Sequence, residues 1–156
     1  MNILVTGNRG YIGAVLVQAL LDRGYQVTGL DTDYYAECEL YPLTEPHRQI
    51  IKDTREVVEE DFIGIDAVLH LAALSNDPLG ELNPDLTEDI NLRGTLQVAA
   101  LARAAGVKRF VYVSSQSMYG VANTDTELEE DHSDKNPITT YARTKWEAEL
   151  ALKKMS

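Results

Sequence analysis

The stretch VTGNRGYIG, residues 5–13, limits what this chain can fold into more than any other. It sets Gly7, Gly10 and Gly13 at three-residue spacing between an apolar run and an amphipathic one. The run before it, NILVT (2–6), has the aliphatic, β-branched character of a buried strand. The run after it carries Ile12, Val15, Leu16, Ala19 and Leu20 at helical spacing and stops at Gly24, which predicts a helix over 11–23 that buries those five side chains. Strand, tight turn and helix start then form one unit. Glycine lets the backbone turn sharply and lets a ligand approach the N–H groups that the first turn of a helix leaves unpartnered. A pyrophosphate suits such a place, and Gly13 would also let the helix pack closely on the sheet. The plainer alternative is a turn with a structural role only.

The same alternation continues along the chain. QVTGLD (26–31), QIIKD (49–53), DAVLHL (66–71) and RFVYVSS (109–115) read as further buried strands. A long helix is expected over 84–105, after Asn83 with Pro84 in its first turn and ending at Gly106, and a last helix over 140–154. Apolar strands alternating with helices imply an α/β fold: a Rossmann-like, doubly wound parallel sheet of five strands, taken as one dinucleotide-binding domain over 1–156. Ligands of such sheets bind at the carboxyl ends of the strands, near the switch point. Asp31 ends the second strand 18 residues after Gly13, where an acid accepts hydrogen bonds from ribose hydroxyls and repels a 2′-phosphate. No arginine directly follows it, so NAD is expected rather than NADP. Asp33 could substitute for Asp31, and capping a helix is the alternative role for either.

Composition closes off other classes. The net charge of −11 and pI near 4.6 argue against a nucleic-acid partner, because such proteins concentrate positive charge. Cys38 is the only cysteine, so no intrachain disulfide and no multi-cysteine metal site can form, and it reads as a bystander. The start MNILVTGNRG lacks a basic leader and an apolar core, and no run reaches the roughly 18 apolar residues a membrane span needs. A soluble, cytoplasmic domain without metal or membrane contact is the expectation. The acidic segment DTELEEDHSD (125–134) reads as a solvated loop. His70, in mid-strand, reads as a core histidine.

A tyrosine and a lysine four apart, Tyr141 and Lys145 in YARTK, say little by themselves. Taken with TGNRGYIG, KDTRE, LAALS, NLRGT and VSSQSMYG in this order, they make the chain resemble the extended short-chain dehydrogenase/reductase family, in its NAD-dependent epimerase/dehydratase group that acts on nucleotide sugars. The resemblance implies NAD held by the turn residues Gly7, Arg9, Gly10, Tyr11, Ile12 and Gly13, with Asp31 on the adenosine ribose. It implies Asp53 and Thr54 at the adenine, Leu71, Ala72 and Ala73 along ribose and pyrophosphate, and Asn91 supporting the active site from the long helix. It implies Tyr141 as general base toward a sugar hydroxyl, with Lys145 supplying positive charge and bonding the nicotinamide ribose. Ser115, with Ser114 as the weaker candidate, would hold the reacting oxygen. A tyrosine at its ordinary pKa of about 10 is protonated at neutral pH, so the role requires that nearby charge.

Members of the family are substantially longer, with two more strands and a C-terminal lobe that binds the sugar nucleotide; that part is absent from this sequence. The dehydratase branch places an Asp–Glu pair after its Ser/Thr, and here Gln116 and Ser117 stand there, so an epimerase is expected over a 4,6-dehydratase. Ser75 stands where hexose 4-epimerases usually carry lysine, which leaves a sugar-alcohol dehydrogenase open. A dinucleotide-binding module without turnover, or an NAD-reading regulator, are the other readings. The family also implies a homodimer through the helices at 84–105 and 140–154.

Overall fold

The computed structural model of the chain describes residues 1–39, 41–121 and 127–155; Asp125 and Thr126 of the acidic segment lie outside them. Five parallel strands form one sheet: β1 (Asn2–Thr6), β2 (Gln26–Asp31), β3 (Arg48–Ile51), β4 (Ala67–His70) and β5 (Arg109–Tyr112), in the spatial order β3-β2-β1-β4-β5. From β1 the chain winds outward to β3, then crosses back to lay β4 on the other side of β1, so the switch point lies between β1 and β4. The doubly wound sheet expected from the alternation is the one observed. Its strands are shorter than predicted at β3, β4 and β5, because the last residues of the apolar runs turn away into the loops that surround the site.

Side chains alternate across the sheet with the strand period of two. Ile3 and Val5 of β1 join Val27 and Ala67 against Val17 and Leu20 of α1 (Tyr11–Asp22). Leu4, Leu30, Ile50 and Val68 face the other way, against Phe62, Val98 and Ala102. Each large apolar side chain buried in these layers contributes on the order of 1.5–3 kcal/mol.

Two expectations need correction. In α1, Ile12 and Val15 are 59% and 66% exposed, and Gly13, Val17 and Leu20 form the face on the sheet. Helical spacing defines a stripe but does not choose between neighbouring stripes, and the close approach at Gly13 chooses here. The predicted helix over 84–105 starts as expected, with the Asn83 side chain accepting from Leu86 N, and ends at Gly106 with φ +78°. It is not continuous: α3 (Pro84–Glu88) passes through a wider π-helical turn, Asp89–Gly94, before α4 (Thr95–Ala104). A further short helix, α2 (Asp77–Leu82), precedes it and was not anticipated, being six residues long with Pro78 and Gly80 inside. The chain ends in α5 (Thr140–Met155). Among the described residues no helix is long and apolar enough to cross a membrane, and no cluster of His, Cys, Asp or Glu could hold a metal ion.

Candidate active site

The glycine turn sits at the carboxyl end of β1. Gly7 has φ +70°, and a Cβ there would stand 2.8 Å from Ala72 N, so the turn lies directly on the segment that leaves β4. A Cβ on Gly13 would overlap the Gly7 carbonyl oxygen and come within 2.7 Å of Asn8 Cα. Gly10 caps α1 with no side-chain hydrogen bond, so the first N–H groups of the helix have no intrahelical acceptor. Asn8, buried beneath the turn, exchanges amide hydrogen bonds with Gln49 of β3 at 2.8 and 3.2 Å, which fixes the turn on the sheet.

Around this turn opens a cleft of about 580 Å³. All of the predicted glycine-turn residues, Asp31, Asp53, Thr54, Leu71, Ala72, Ala73, Ser115, Tyr141 and Lys145 line it. Asn91 does not. It is buried behind the cleft, where its amide accepts from Leu74 N at 2.8 Å and donates to Leu74 O at 3.1 Å, and so shapes the lining segment from behind.

The Asp31 carboxylate accepts from Arg9 N and Asp33 N, each at 3.0 Å, and faces the cleft. The Arg9 guanidinium reaches Asp33 and Glu39 at 3.6 Å and Glu45 at 3.1 Å, pinning the chain after β2 to the turn. Its Nε is buried without a hydrogen-bond partner. Asp53 is gripped by Arg55, whose Nε and Nη2 donate at 3.0 and 2.8 Å, and this holds its carboxyl below the usual range.

A buried chain of hydrogen bonds ties these parts together. The Thr6 hydroxyl accepts from Leu71 N and Ala72 N and lies 2.7 Å from His70 Nδ1. His70 Nε2 lies 2.9 Å from Thr95 Oγ1, whose own proton goes to Asn91 O at 2.7 Å. Thr95 must therefore accept, so the imidazole is neutral with its proton on Nε2, and Thr6 donates to Nδ1. Burial, and then the Lys145 charge, hold His70 down at about 3, which agrees. The histidine is structural, as its mid-strand position suggested.

At the other end of the cleft, Ser115 caps the short turn Gln116–Tyr119 by accepting from Ser117 N at 3.2 Å. Ser114 is occupied: its hydroxyl donates to Glu149 at 2.7 Å. Helix α5 is tied at its start to α2, with Thr139 Oγ1 on Asp77 at 2.6 Å and Thr140 N on Glu81 at 2.6 Å. Ala142, Lys145 and Ala148 share its inward face. Lys145 is thus only 4% exposed, and burial pushes its ammonium down to about 8. No ion pair to it is found among the described residues; it sits 4.2 Å from the centre of the Tyr112 ring. The sequence did not point to Tyr112, which lies behind the lining, nor to Tyr34, Tyr35 and Lys52, which line the cleft.

A doubly wound sheet with a glycine-cradled helix start at its switch point and an acid closing β2 defines a dinucleotide-binding domain. The sequence matches the NAD dependent epimerase/dehydratase family over residues 3–156, and the chain belongs to that family. It is 32% identical to a UDP-glucose 4-epimerase of Rhizobium meliloti (strain 1021), over 97% of this chain and 46% of that enzyme. It is 30% identical to UDP-glucuronic acid decarboxylase 1 of Arabidopsis thaliana, over 88% of this chain and 32% of that one. Among solved structures, MoeE5 in complex with UDP-glucose and NAD superposes with a TM-score of 0.82 at 32% identity, covering 96% of this chain and 47% of that one. The chain spans about half the length, or less, of these relatives. The family's cofactor is NAD. The cleft fits it: the turn would be filled by any Cβ at Gly7 or Gly13, the helix start is uncapped, and the Asp31 carboxylate lines the cleft beside them.

Proposed function

We propose that this chain is the cofactor-binding, catalytic half of an NAD-dependent nucleotide-sugar oxidoreductase of the epimerase type. The observation that carries the reading is that Ser115, Tyr141 and Lys145, from a strand end and a helix far apart in sequence, line the same cleft as the glycine turn. Bound NAD supplies a hydride acceptor for a carbinol carbon. Tyr141 then takes the proton of that hydroxyl, Lys145 favours the tyrosinate through its charge, and Ser115, whose hydroxyl otherwise bonds Ser117 Oγ at 3.1 Å, turns to hold the reacting oxygen. Gly7, Gly10 and Gly13 admit the pyrophosphate, and Asp31 orients the adenosine ribose. Gln116 and Ser117 follow Ser115 with no carboxyl group between them, which favours epimerisation over loss of water.

The second reading is a dinucleotide-binding module without turnover, which the glycine turn and the sheet's switch point would serve by themselves. Both readings predict that NAD⁺ binds, stabilising the fold by about 2.7 kcal/mol at a hundredfold excess over Kd. Calorimetry and thermal shift should show Asp31→Ala weakening NAD⁺ at least tenfold, and NADP⁺ binding poorly. Absence of NAD⁺ binding would remove both readings. Tyr141→Phe separates them: it should keep NAD⁺ affinity and lower nucleotide-sugar oxidation by about a thousandfold. We also infer a cytoplasmic location and a homodimer through the helices at 84–105 and 140–154; sedimentation showing a monomer at tens of micromolar would end the latter.

A further inference from the structure

Tyr112 closes β5 on the side of the sheet turned to α5. We propose that it is a positioning residue of this site: the face of its ring seats the Lys145 ammonium and holds it charged at the cleft. Three contacts carry this. The ammonium stands 4.2 Å from the ring centre, well inside the range of a cation–π interaction. The Tyr112 hydroxyl donates to the backbone carbonyl of the same Lys145 at 3.4 Å, so ring and lysine are tied at both ends. The His70 imidazole, its two nitrogens both held by threonines, also stacks on Tyr112, with ring centres 6.1 Å apart at 20°.

The surroundings leave the ring as the source of that support. His70 is neutral, and Glu149, one turn along α5, is taken up by Ser114 and Lys153. Tyr141 shares the helix with Lys145, and neither pairs with a carboxylate among the described residues. The ammonium is therefore buried without a counter-ion, the setting in which a π face is worth most. A carboxylate in its place would draw the N–H donors toward itself. A ring attracts the charge and leaves donors for a ribose hydroxyl and for Tyr141. Burial already pushes the Lys145 ammonium down to about 8, so losing the support of the ring would bring its titration toward neutral pH.

The role of Lys145 rests on the function proposed above, but its charge can be read without turnover. The experiment follows the Lys145 ¹³Cε resonance of the 156-residue chain against pH by NMR. Tyr112→Phe, which keeps the ring, should leave the midpoint within about 0.3 pH units of the parent, and Tyr112→Leu should lower it by about one pH unit. A series of fluorinated phenylalanines at 112, equal in shape but with an increasingly electron-poor face, should lower it step by step. A midpoint indifferent to fluorination overturns the proposal, as does an equal fall in Phe and Leu, which would assign the effect to the hydroxyl. Should the Leu variant not fold, the fluorinated series decides alone. Loss of sugar oxidation with these midpoints unchanged would count against the ring; failure of the catalytic reading would leave them as predicted.

Discussion

Gly13→Ala should abolish NAD⁺ binding and destabilise the fold by about 3 kcal/mol. The added methyl would overlap the Gly7 carbonyl oxygen and crowd the Asn8 backbone, and neither can yield as a flexible side chain could. Moving Gly7 shifts its contact with Ala72, and moving Asn8 breaks the amide pair with Gln49, so the disturbance spreads through the whole cradle. Gly24→Ala is the control. Gly24 also has a positive φ, +77°, but a Cβ there meets nothing within 4 Å. It should lose only the backbone term of about 1 kcal/mol and bind NAD⁺ normally. Urea unfolding and calorimetry on both variants separate strain from collision. Equal losses would mean that the close approach at Gly13 is unimportant.

Lys145→Met should stabilise the chain at pH 7 by about 3 kcal/mol while removing a residue the proposed chemistry needs. The folded chain holds the Lys145 ammonium at about 8, below the ordinary value of 10.5, because burial disfavours the charged form. Between those two pH values the unfolded chain binds the proton more tightly, so stability rises with pH across that window. The cost of the buried charge is complete below pH 8 and gone above 10.5. The gain from Lys145→Met should therefore be full at pH 7 and nearly absent at pH 11. Urea unfolding of both proteins at several pH values measures it, and a difference that does not change with pH would show that packing, not charge, sets the effect. Under the proposed function, that cost is stability given up for chemistry.

The parts of this molecule that could be read from its sequence are those with a local signature. The glycine spacing needs only nine consecutive residues, and Asp31 is legible because it ends an apolar run at a fixed distance from them. Tyr141 and Lys145, four residues apart, became legible only beside the motifs that precede them in the chain. What stayed hidden depends on partners far away in the chain. Arg9 and Glu45 are 36 residues apart, and Tyr112 and Lys145 are 33 apart; no spacing rule connects them. The exposed Ile12 and Val15 show the same limit within one helix, where the pattern was right but its facing depended on Gly13. The wide turn at Asp89–Gly94 had no compositional mark, because Asn91 and Thr95 shape it through contacts with Leu74 and His70.

The ion-pair fan at Arg9 also bears on how fast ligands arrive. One guanidinium is set among Asp33, Glu39 and Glu45, and Asp31 sits on the backbone N–H of the same arginine, so the β2 end of the cleft carries an excess of negative charge on a chain that is already strongly acidic. Such a field extends about a Debye length into the solvent, roughly 8 Å at physiological salt. A dinucleotide with a 2′-phosphate meets that repulsion during its approach, before any contact forms. A preference for the unphosphorylated cofactor would thus be exercised partly in the association rate, at the mouth of the cleft, and not solely in the lifetime of the complex.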